Sequence, residues 1–497
     1  MFLNLVNLKR GFMVFIGIDL GTSGVKSVLC DDAQTILASA TASLSVLRPG
    51  PGMCEQHPRD WWVAVDTTIR QLRDQRPWEM ARVKGIGLSG QMHGAVSLNA
   101  RGHVLRPAIL WNDVRSNAEC AELEKVLPTL RAITGNMAMP GFTAPKLAWL
   151  RRHEPEIFAA IAHVLLPKAW VRFCMTGTMV EDMSDASGTL WLDVGARDWS
   201  DSALAATFMQ RSQMPTLVEG NAPTGFLCRE LAESWGIKGQ PVVAGGAGDN
   251  AAGAVGLGAI VPGRAFLSLG TSGVIFATTD HFRPWPQQAV HAFCHALPGL
   301  WHQMGVTLSA AACLTWWSGI CDAPEAVLLE EMGMSAAPSP VIFMPYLSGE
   351  RTPHNDAFIR GAFLNLSHDS SRATLTQAVL EGVAFSMRDC LDALAASGTH
   401  LSEADVIGGG SRSAVWMAIL ANVLGITLHS LVDGEYGGAF GAARLARLAV
   451  TGEDPETICT VPRRRASFSP DPSSAAAYEA QIARYRSFYP ALSTLSS

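Results

Sequence analysis

A duplicated octapeptide constrains this chain more than any other feature. Ile18-Asp19-Leu20-Gly21-Thr22-Ser23-Gly24-Val25 returns as Leu267-Ser268-Leu269-Gly270-Thr271-Ser272-Gly273-Val274, with six of the eight positions identical. Apolar, strand-like segments flank both copies: Val14-Phe15-Ile16 and Lys26-Ser27-Val28-Leu29 around the first, Ala265-Phe266 and Ile275-Phe276-Ala277 around the second. Each copy therefore reads as strand, Gly-bounded turn, strand. Glycines at both ends of a turn put no Cβ in the way, so backbone N–H groups can converge on an anion. Two such turns, one in each half, predict two like domains holding one polyphosphate. The copies differ at Asp19 against Ser268. One carboxylate beside a phosphate clamp suits a magnesium-dependent phosphoryl transferase, because the cation binds carboxylate and phosphate oxygens together. Either turn alone would read as an ordinary hairpin; the matched pair changes the reading.

With 497 residues the chain is too long for a single core. Apolar residues at 48% and charged ones at 16% exclude long disorder. A net charge of -6, with acids and bases interspersed, offers no basic face to nucleic acid or an anionic membrane. Ten cysteines without a CxxC pair read as reduced thiols of a cytoplasmic protein. No apolar run reaches 18 residues; Ala251–Ile260 is short and Gly-rich. At the N-terminus Lys9 and Arg10 follow the apolar residues, which is the wrong order for a secretory signal. Residues 1–13 read as a frayed extension, with Met1 or Met13 as the start, followed by domains over 14–258 and 259–497.

Strands alternate with helical periods along the chain. The opening reads as a three-stranded meander into Thr35–Leu44, and Asp60 as the N-cap of a helix carrying Trp61, Val65, Ile69 and Leu72. Val83–Leu88 reads as a strand, and further strands end at Met92-His93 and at Trp111-Asn112-Asp113. Helices are expected at Ser116–Val126, Lys146–Arg152, Ala251–Gly258, Thr374–Ala396, Ser411–Leu424, Gly438–Val450 and Ala475–Phe488. Hairpins mixed with helices imply α/β architecture with mixed sheets.

Asp249, in Gly245-Gly246-Ala247-Gly248-Asp249-Asn250, sits between a strand and a helix. It reads either as a helix N-cap or as a carboxylate held in reach of a substrate hydroxyl. Being the Gly-flanked carboxylate just ahead of the second phosphate turn, it is the general-base candidate, and Asp19 is the magnesium candidate. Gly85-Ile86-Gly87-Leu88-Ser89-Gly90 matches GxGxxG, but a hairpin rather than a helix follows, so the dinucleotide context is missing. There is no GxxxxGK[ST] loop. Met92, His93, Trp111 and Asp113 end strands, where ligands are often lined. Gly408-Gly409-Gly410-Ser411 opens a helix and lets a ligand approach the backbone. His291 and His295 read as part of a buried segment rather than a metal site, and Glu350-Arg351 with His354 as an ion-paired loop.

Together these pieces resemble the FGGY family of carbohydrate kinases, on the fold shared by actin, hexokinase and the Hsp70 ATPase domain. Gly141-Phe142-Thr143-Ala144-Pro145-Lys146-Leu147-Ala148-Trp149-Leu150 resembles its first signature, and residues 361–381 its second. The departures are Asn365 where Gly is usual, Thr374 where an acid or amide is usual, and Ala169-Trp170 in place of Asp-Tyr. The resemblance implies two domains, an interdomain cleft, and mixed sheets with flanking helices. It makes 14–258 the sugar-binding domain and 259–497 the nucleotide-binding domain. It also implies transfer of the ATP γ-phosphate to the O5 hydroxyl of D-xylulose, with Asp249 on the position of the base and Asp19 on that of the acid near Mg2+. Met92, His93 and Asn250 fall on sugar-contacting positions. Thr271, Gly409, Gly410 and Ser411 fall on nucleotide-contacting ones, joined by the turn residues Gly21, Thr22, Ser23 and Gly270. The expected partners are a sugar and ATP, with no nucleic acid and no membrane; a homodimer is compatible with the sequence. The alternatives are another sugar kinase of the family, acting on ribulose, fuculose, gluconate or glycerol, and an ATP-gated binding protein of the actin or Hsp70 type.

Overall fold

The computed structural model of the chain describes residues 12–333, 337–432 and 437–496. Most of the extension expected over 1–13 lies outside them. The chain separates into two compact units. One comprises Met1–Ile260, Phe293–Leu300 and Tyr436–Val461; the other comprises Val261–Ala292, Trp301–Glu435 and Pro462–Ser497. The helix Gly437–Thr451, which the sequence reading placed with the C-terminal half, thus belongs to the first unit.

Both copies of the octapeptide form the expected hairpin. Val14–Leu20 pairs antiparallel with Gly24–Asp31, which pairs with Ile36–Ser43. Ala265–Leu269 pairs antiparallel with Gly273–Thr279, which pairs with Trp301–Thr307. The likeness extends across each sheet. The first strand of each hairpin also pairs parallel with a later strand, Val83–Gly90 in one unit and Glu403–Ile407 in the other. Beyond these lie a second parallel strand (Val242–Ala244; Thr427–Leu431) and an antiparallel edge (Pro223–Phe226; Arg464–Phe468). The repeat seen in eight residues is therefore a repeat of sheet topology.

In the first unit, helix Gly437–Thr451 seats on glycines. A Cβ on Gly17 would lie 1.8 Å from Ala439 O, and one on Gly87 would lie 1.9 Å from Ala442 O. The same helix crosses Asp249–Leu257 just as closely, since a Cβ on Gly441 would lie 1.8 Å from Ala252 O. Gly85 and Gly87 of the GxGxxG pattern at 85–90 thus form a packing surface for a helix. Arg444 fixes the seat by donating to Val255 O and Gly256 O at 2.9 and 3.0 Å and to Gln34 Oε1 at 2.8 Å.

Several local expectations are corrected. The helix expected to be capped by Asp60 starts at Pro58, because proline's fixed φ and missing N–H suit the first helical position. Asp249 is the first residue of its helix and Gly248 the cap. Gly408–Ser411 do not open the following helix. Gly409–Arg412 form a separate 3-10 turn, and Ser413 caps Ala414–Leu424 by accepting the Trp416 N–H. Glu350 is buried in a hydrogen-bond cage rather than an ion-paired loop. It accepts from the hydroxyls of Thr307 and Ser386 at 2.7 and 2.8 Å and from the N–H groups of Leu308 and Arg351. Burial lifts its carboxyl to about 7. Asn365, standing where the family usually has Gly, takes φ 65°, which Asn tolerates better than most residues.

The glycine seat is testable. Gly87→Ala should lower the stability of the chain by about 3 kcal/mol, because the colliding atom is backbone and cannot swing away. Gly319→Ala, at a helical site where a Cβ meets nothing within 4 Å, should raise it by up to about 1 kcal/mol. Urea unfolding midpoints read both, and equal midpoints for the two variants would refute the packing account.

Candidate active site

The parallel register of Val14–Leu20 and Val83–Gly90 sets Asp19 opposite Ser89, and the Ser89 hydroxyl donates to Asp19 Oδ1 at 2.7 Å. Gly438, near the start of the seated helix, leaves the carboxylate room, since a Cβ there would lie 2.9 Å from Asp19 Oδ2. Burial raises the Asp19 carboxyl above its ordinary range, partly opposed by the Ser89 hydrogen bond. Asp249 arrives from the other side of the same strand pair. Ala247-Gly248 pairs with Ser89-Gly90, so the chain turns into the helix beside Asp19. Asn250 holds Asp249 Oδ1 through its backbone N–H at 2.7 Å and its side-chain amide at 2.9 Å. Desolvation, and then the charge of Asp19, lift Asp249 to about 6. Its side chain keeps exposed surface, so the shift sets a pH window rather than an energy.

Met92 and His93 follow the Val83–Gly90 strand. Met92 is buried, and its sulfur fills the place where Gly248 would carry a Cβ, 2.8 Å away. His93 adopts φ 70°. Its Nδ1 lies 2.6 Å from Gly188 O, which can only accept, so Nδ1 carries the proton. The ring meets the Phe142 ring edge-on, 4.8 Å between centroids. Thr143 Oγ1 and Lys146 Nζ both donate to His93 O, at 3.0 and 2.9 Å, and Lys146 also donates to Gly141 O at 2.7 Å. Full burial drops Lys146 to about 7. The first family-like signature thus builds the floor under His93.

The first turn is a braced structure. Gly21 N–H is spent on Gly24 O at 2.9 Å. The Thr22 hydroxyl accepts from Trp111 Nε1 and donates to Gln91 Oε1, both at 2.9 Å. Gln56 ties the same turn through Thr22 O at 2.7 Å and also accepts from Gln91 and Trp61. Trp111 thus spends its N–H within the protein while part of the residue stays exposed. Ser23 is exposed. Asp113, expected to line the sugar, is 1% exposed and fully engaged. It accepts from Cys54 N–H at 2.6 Å and from Arg115 in bidentate fashion, and Arg115 also pairs with Glu55 at 2.7 Å. Its carboxylate is thus spent on partners within the protein.

In the second unit the turn is tied through different groups. Gly270 O and Thr271 O accept the N–H groups of Ala311 and Ala310, and Thr271 is exposed. Gly408, at φ 90°, passes so close to Leu269 that a Cβ would lie 2.5 Å from its carbonyl oxygen. Gly409 faces open space, Gly410 is buried, and Ser411 Oγ turns back onto Gly408 O at 2.7 Å. Gly408–Ser411 and the Gly270-Thr271 turn are thus neighbours in one unit.

Sequence reasoning missed Gln56 and Ser89, which with Gln91 brace the first turn and Asp19. Their only signal was position at strand ends. It also missed a buried acidic group, Glu181, Asp182 and Asp185, signalled only by three acids within five residues. Among the described residues this is the one cluster of metal-ligating side chains, and it excludes His291 and His295. His291 lies in the buried strand His291–Cys294, and His295 Nε2 contacts Ala259 O at 3.2 Å.

The N-terminal domain of the FGGY family of carbohydrate kinases matches residues 14–256, and its C-terminal domain matches residues 265–450. The chain belongs to the FGGY family of carbohydrate kinases. It is 48% identical to the xylulose kinase of Escherichia coli strain K12 over 481 residues, covering 96% of this chain and 98% of that protein. It is 34% identical to the xylulose kinase of Bacillus subtilis strain 168, covering 95% of this chain and 96% of that protein. Among solved structures, a "xyloylose kinase" from Brucella ovis superposes with a TM-score of 0.94 at 52% identity, covering 97% of this chain and all of that one. A gluconate kinase from Lactobacillus acidophilus, at 24% identity and a TM-score of 0.92 over 98% of this chain and 99% of that one, shares the FGGY kinase fold. Among the described residues no helix is long and apolar enough to cross a membrane.

The Asp19–Asp249 pair yields a stability test. A carboxyl raised from 3.8 to about 6 stabilises the fold below its unfolded value, and loses that contribution as pH rises through about 6. Above that window the ionised pair works against folding. Asp249→Asn should therefore melt at a higher temperature than the wild type at pH 8, with the gap closing toward pH 5. A lower melting temperature at pH 8 would show that the two charges do not repel.

Proposed function

We propose that this FGGY kinase transfers the γ-phosphate of ATP to the O5 hydroxyl of D-xylulose, with Asp249 as general base and Mg2+ held near Asp19. The observation that carries this reading is the pair of carboxylates brought together from two strand ends in different surroundings. Asp249, raised to about 6 and keeping exposed surface, suits the removal of a proton from a substrate hydroxyl near neutral pH. Asp19, hydrogen-bonded by Ser89 and crowding a second carboxylate, suits a divalent cation that would relieve the repulsion. Magnesium, when bound, supplies charge neutralisation on the transferring phosphates.

The chain's own residues supply positioning. Met92, His93 and Asn250 hold the sugar, with the Trp111 face as an apolar wall. Gly270, Thr271, Gly409, Gly410 and Ser411 hold the nucleotide, and the braced turn at Gly21, Thr22 and Ser23 stands beside Asp19 in sequence and in the sheet. Asp249 takes the O5 proton as that oxygen attacks the γ-phosphorus in line with the departing ADP. The choice of D-xylulose is supported by similarity to xylulose kinases over nearly the whole chain. A cytoplasmic location accords with ten free cysteines.

Four measurements test this. Asp249→Ala should lose on the order of 10²–10⁴ in kcat while remaining folded; near-wild-type turnover would remove Asp249 from the reaction. Because the base must be ionised, kcat/KM should fall as pH drops through about 6, and a flat profile between pH 5 and 8 would contradict the assignment. Asp19→Asn should shift the magnesium dependence of kcat to higher concentration; an unchanged titration would place the cation elsewhere. A panel of D-xylulose, ribulose, fuculose, gluconate and glycerol with coupled ADP detection identifies the acceptor, and D-xylulose should give the highest kcat/KM.

A further inference from the structure

Behind the segment that delivers Asp249 lies a buried ionic cluster with no part in the reaction as derived so far. Lys168, Arg172, Asp182 and Asp185 are 0% exposed and Glu181 is 1% exposed. Lys168 Nζ lies 2.6 Å from Glu181 and Asp182 and 3.4 Å from Asp185. Burial opposes the Lys168 charge, but Asp182 and Glu181 outweigh it and raise its pKa. The ammonium occupies the centre that a cation bound by the three acids would need, so the cluster is not a metal site. Lys168 holds Asp185 less closely than it holds the other two acids, and burial raises the Asp185 carboxyl well above the ordinary range. Burying five ionisable groups together is poor value as a source of stability, which makes the geometry they impose the more informative property.

That geometry converges on four residues of backbone. Arg172 donates to Gly245 O with one guanidinium nitrogen and to Val180 O, at 2.7 Å, with another. Ser184 Oγ accepts the N–H of Gly248 at 3.1 Å. The same hydroxyl donates to Asp182 Oδ1, and Asp182 is the partner of Lys168. Between the two anchors the backbone has no slack. Gly246 takes φ 70°, and a Cβ there would lie 2.1 Å from Leu88 O. The next residue after the second anchor is Asp249. A relay thus runs from Lys168 through Asp182 and Ser184 to the amide that precedes the carboxylate.

We infer that Ser184 is a positioning residue for phosphoryl transfer: with Arg172 it clamps both ends of the Gly245–Gly248 backbone and so fixes where Asp249 is presented. This rests on the reading of Asp249 as general base. Positioning of this kind acts on the rate of the chemical step and leaves ground-state binding largely alone, because small displacements of a reacting group are costly in turnover.

The test is steady-state kinetics of the full-length protein with D-xylulose and ATP. Ser184→Ala should lower kcat about 10- to 100-fold, with both KM values within about twofold of wild type. Ser184→Thr, which keeps the oxygen, should recover kcat to within about threefold of wild type. Asp249→Asn and the Asp249→Asn/Ser184→Ala double variant should turn over within about threefold of each other, since a clamp has nothing to position once the base is gone. A destabilised but positionally innocent Ser184 would instead give additive losses. Should Ser184→Ala fail to fold, Ser184→Cys keeps the volume and weakens the acceptor, and its kcat should fall at least fivefold at unchanged KM. Wild-type kcat in either the Ala or the Cys variant, or a loss equally present in Ser184→Thr, overturns the clamp. Wild-type turnover in Asp249→Asn overturns the reading of the base instead, so the two failures are distinguishable.

Discussion

The close approach of one helix to bare backbone underlies the first unit. Gly437–Thr451 comes within contact distance of the strands at Gly17 and Gly87 and of the helix at Ala252 because those contacts carry no side chain on one partner. Tight packing of this sort gathers dispersion contacts without side-chain ordering, and it fixes strand ends relative to helix starts. Asp19 at the end of one strand and Asp249 at the start of one helix inherit that fixed relation. The two carboxylates of the proposed site are therefore placed by glycines that have no chemistry of their own.

The two carboxylates stand in different surroundings. Asp19 takes a hydroxyl donor from its neighbouring strand and is the more enclosed of the two. Asp249 holds its own neighbour's amide and keeps contact with solvent. The charge of Asp19 raises the cost of charging Asp249, so the scaffold holds the pair in tension. Such strain is tolerable because the surrounding contacts over-determine it: Arg172 and Ser184 on the backbone ahead of Asp249, Arg444 on the helix that follows.

Much of this was legible in the residue string, for identifiable reasons. The duplicated octapeptide showed itself because turn chemistry is local: glycine and hydroxyl positions repeat wherever the same turn is built. Helices such as Arg372–Ala396 showed by period, and Asp249 by its glycine neighbours. What stayed hidden depends on partners far away in the chain. Nothing in Trp111-Asn112-Asp113 announces that Asp113 is consumed by Arg115 while Trp111 braces Thr22, because both facts need the meeting of segments 89 residues apart or the burial of a loop. GxGxxG at 85–90 lacked the helix that a dinucleotide site needs, and its use as a helix seat required knowing that residues 439–446 return to cover it. The helix start expected at Ser411 failed by local competition, since Ser413 is the better cap and the glycines before it prefer a turn of their own.

The return of residues 437–461 to the first unit also bears on how such a chain can be divided. A fragment ending near Ile260 would keep every strand of the first sheet and yet lose the element that covers Gly17 and Gly87, leaving a glycine-floored trough open to water and to other chains. Exchange of halves between relatives would meet the same obstacle, because the lid of one body is encoded inside the other. The two units, whose sheets share one topology, are thus inseparable by any single cut.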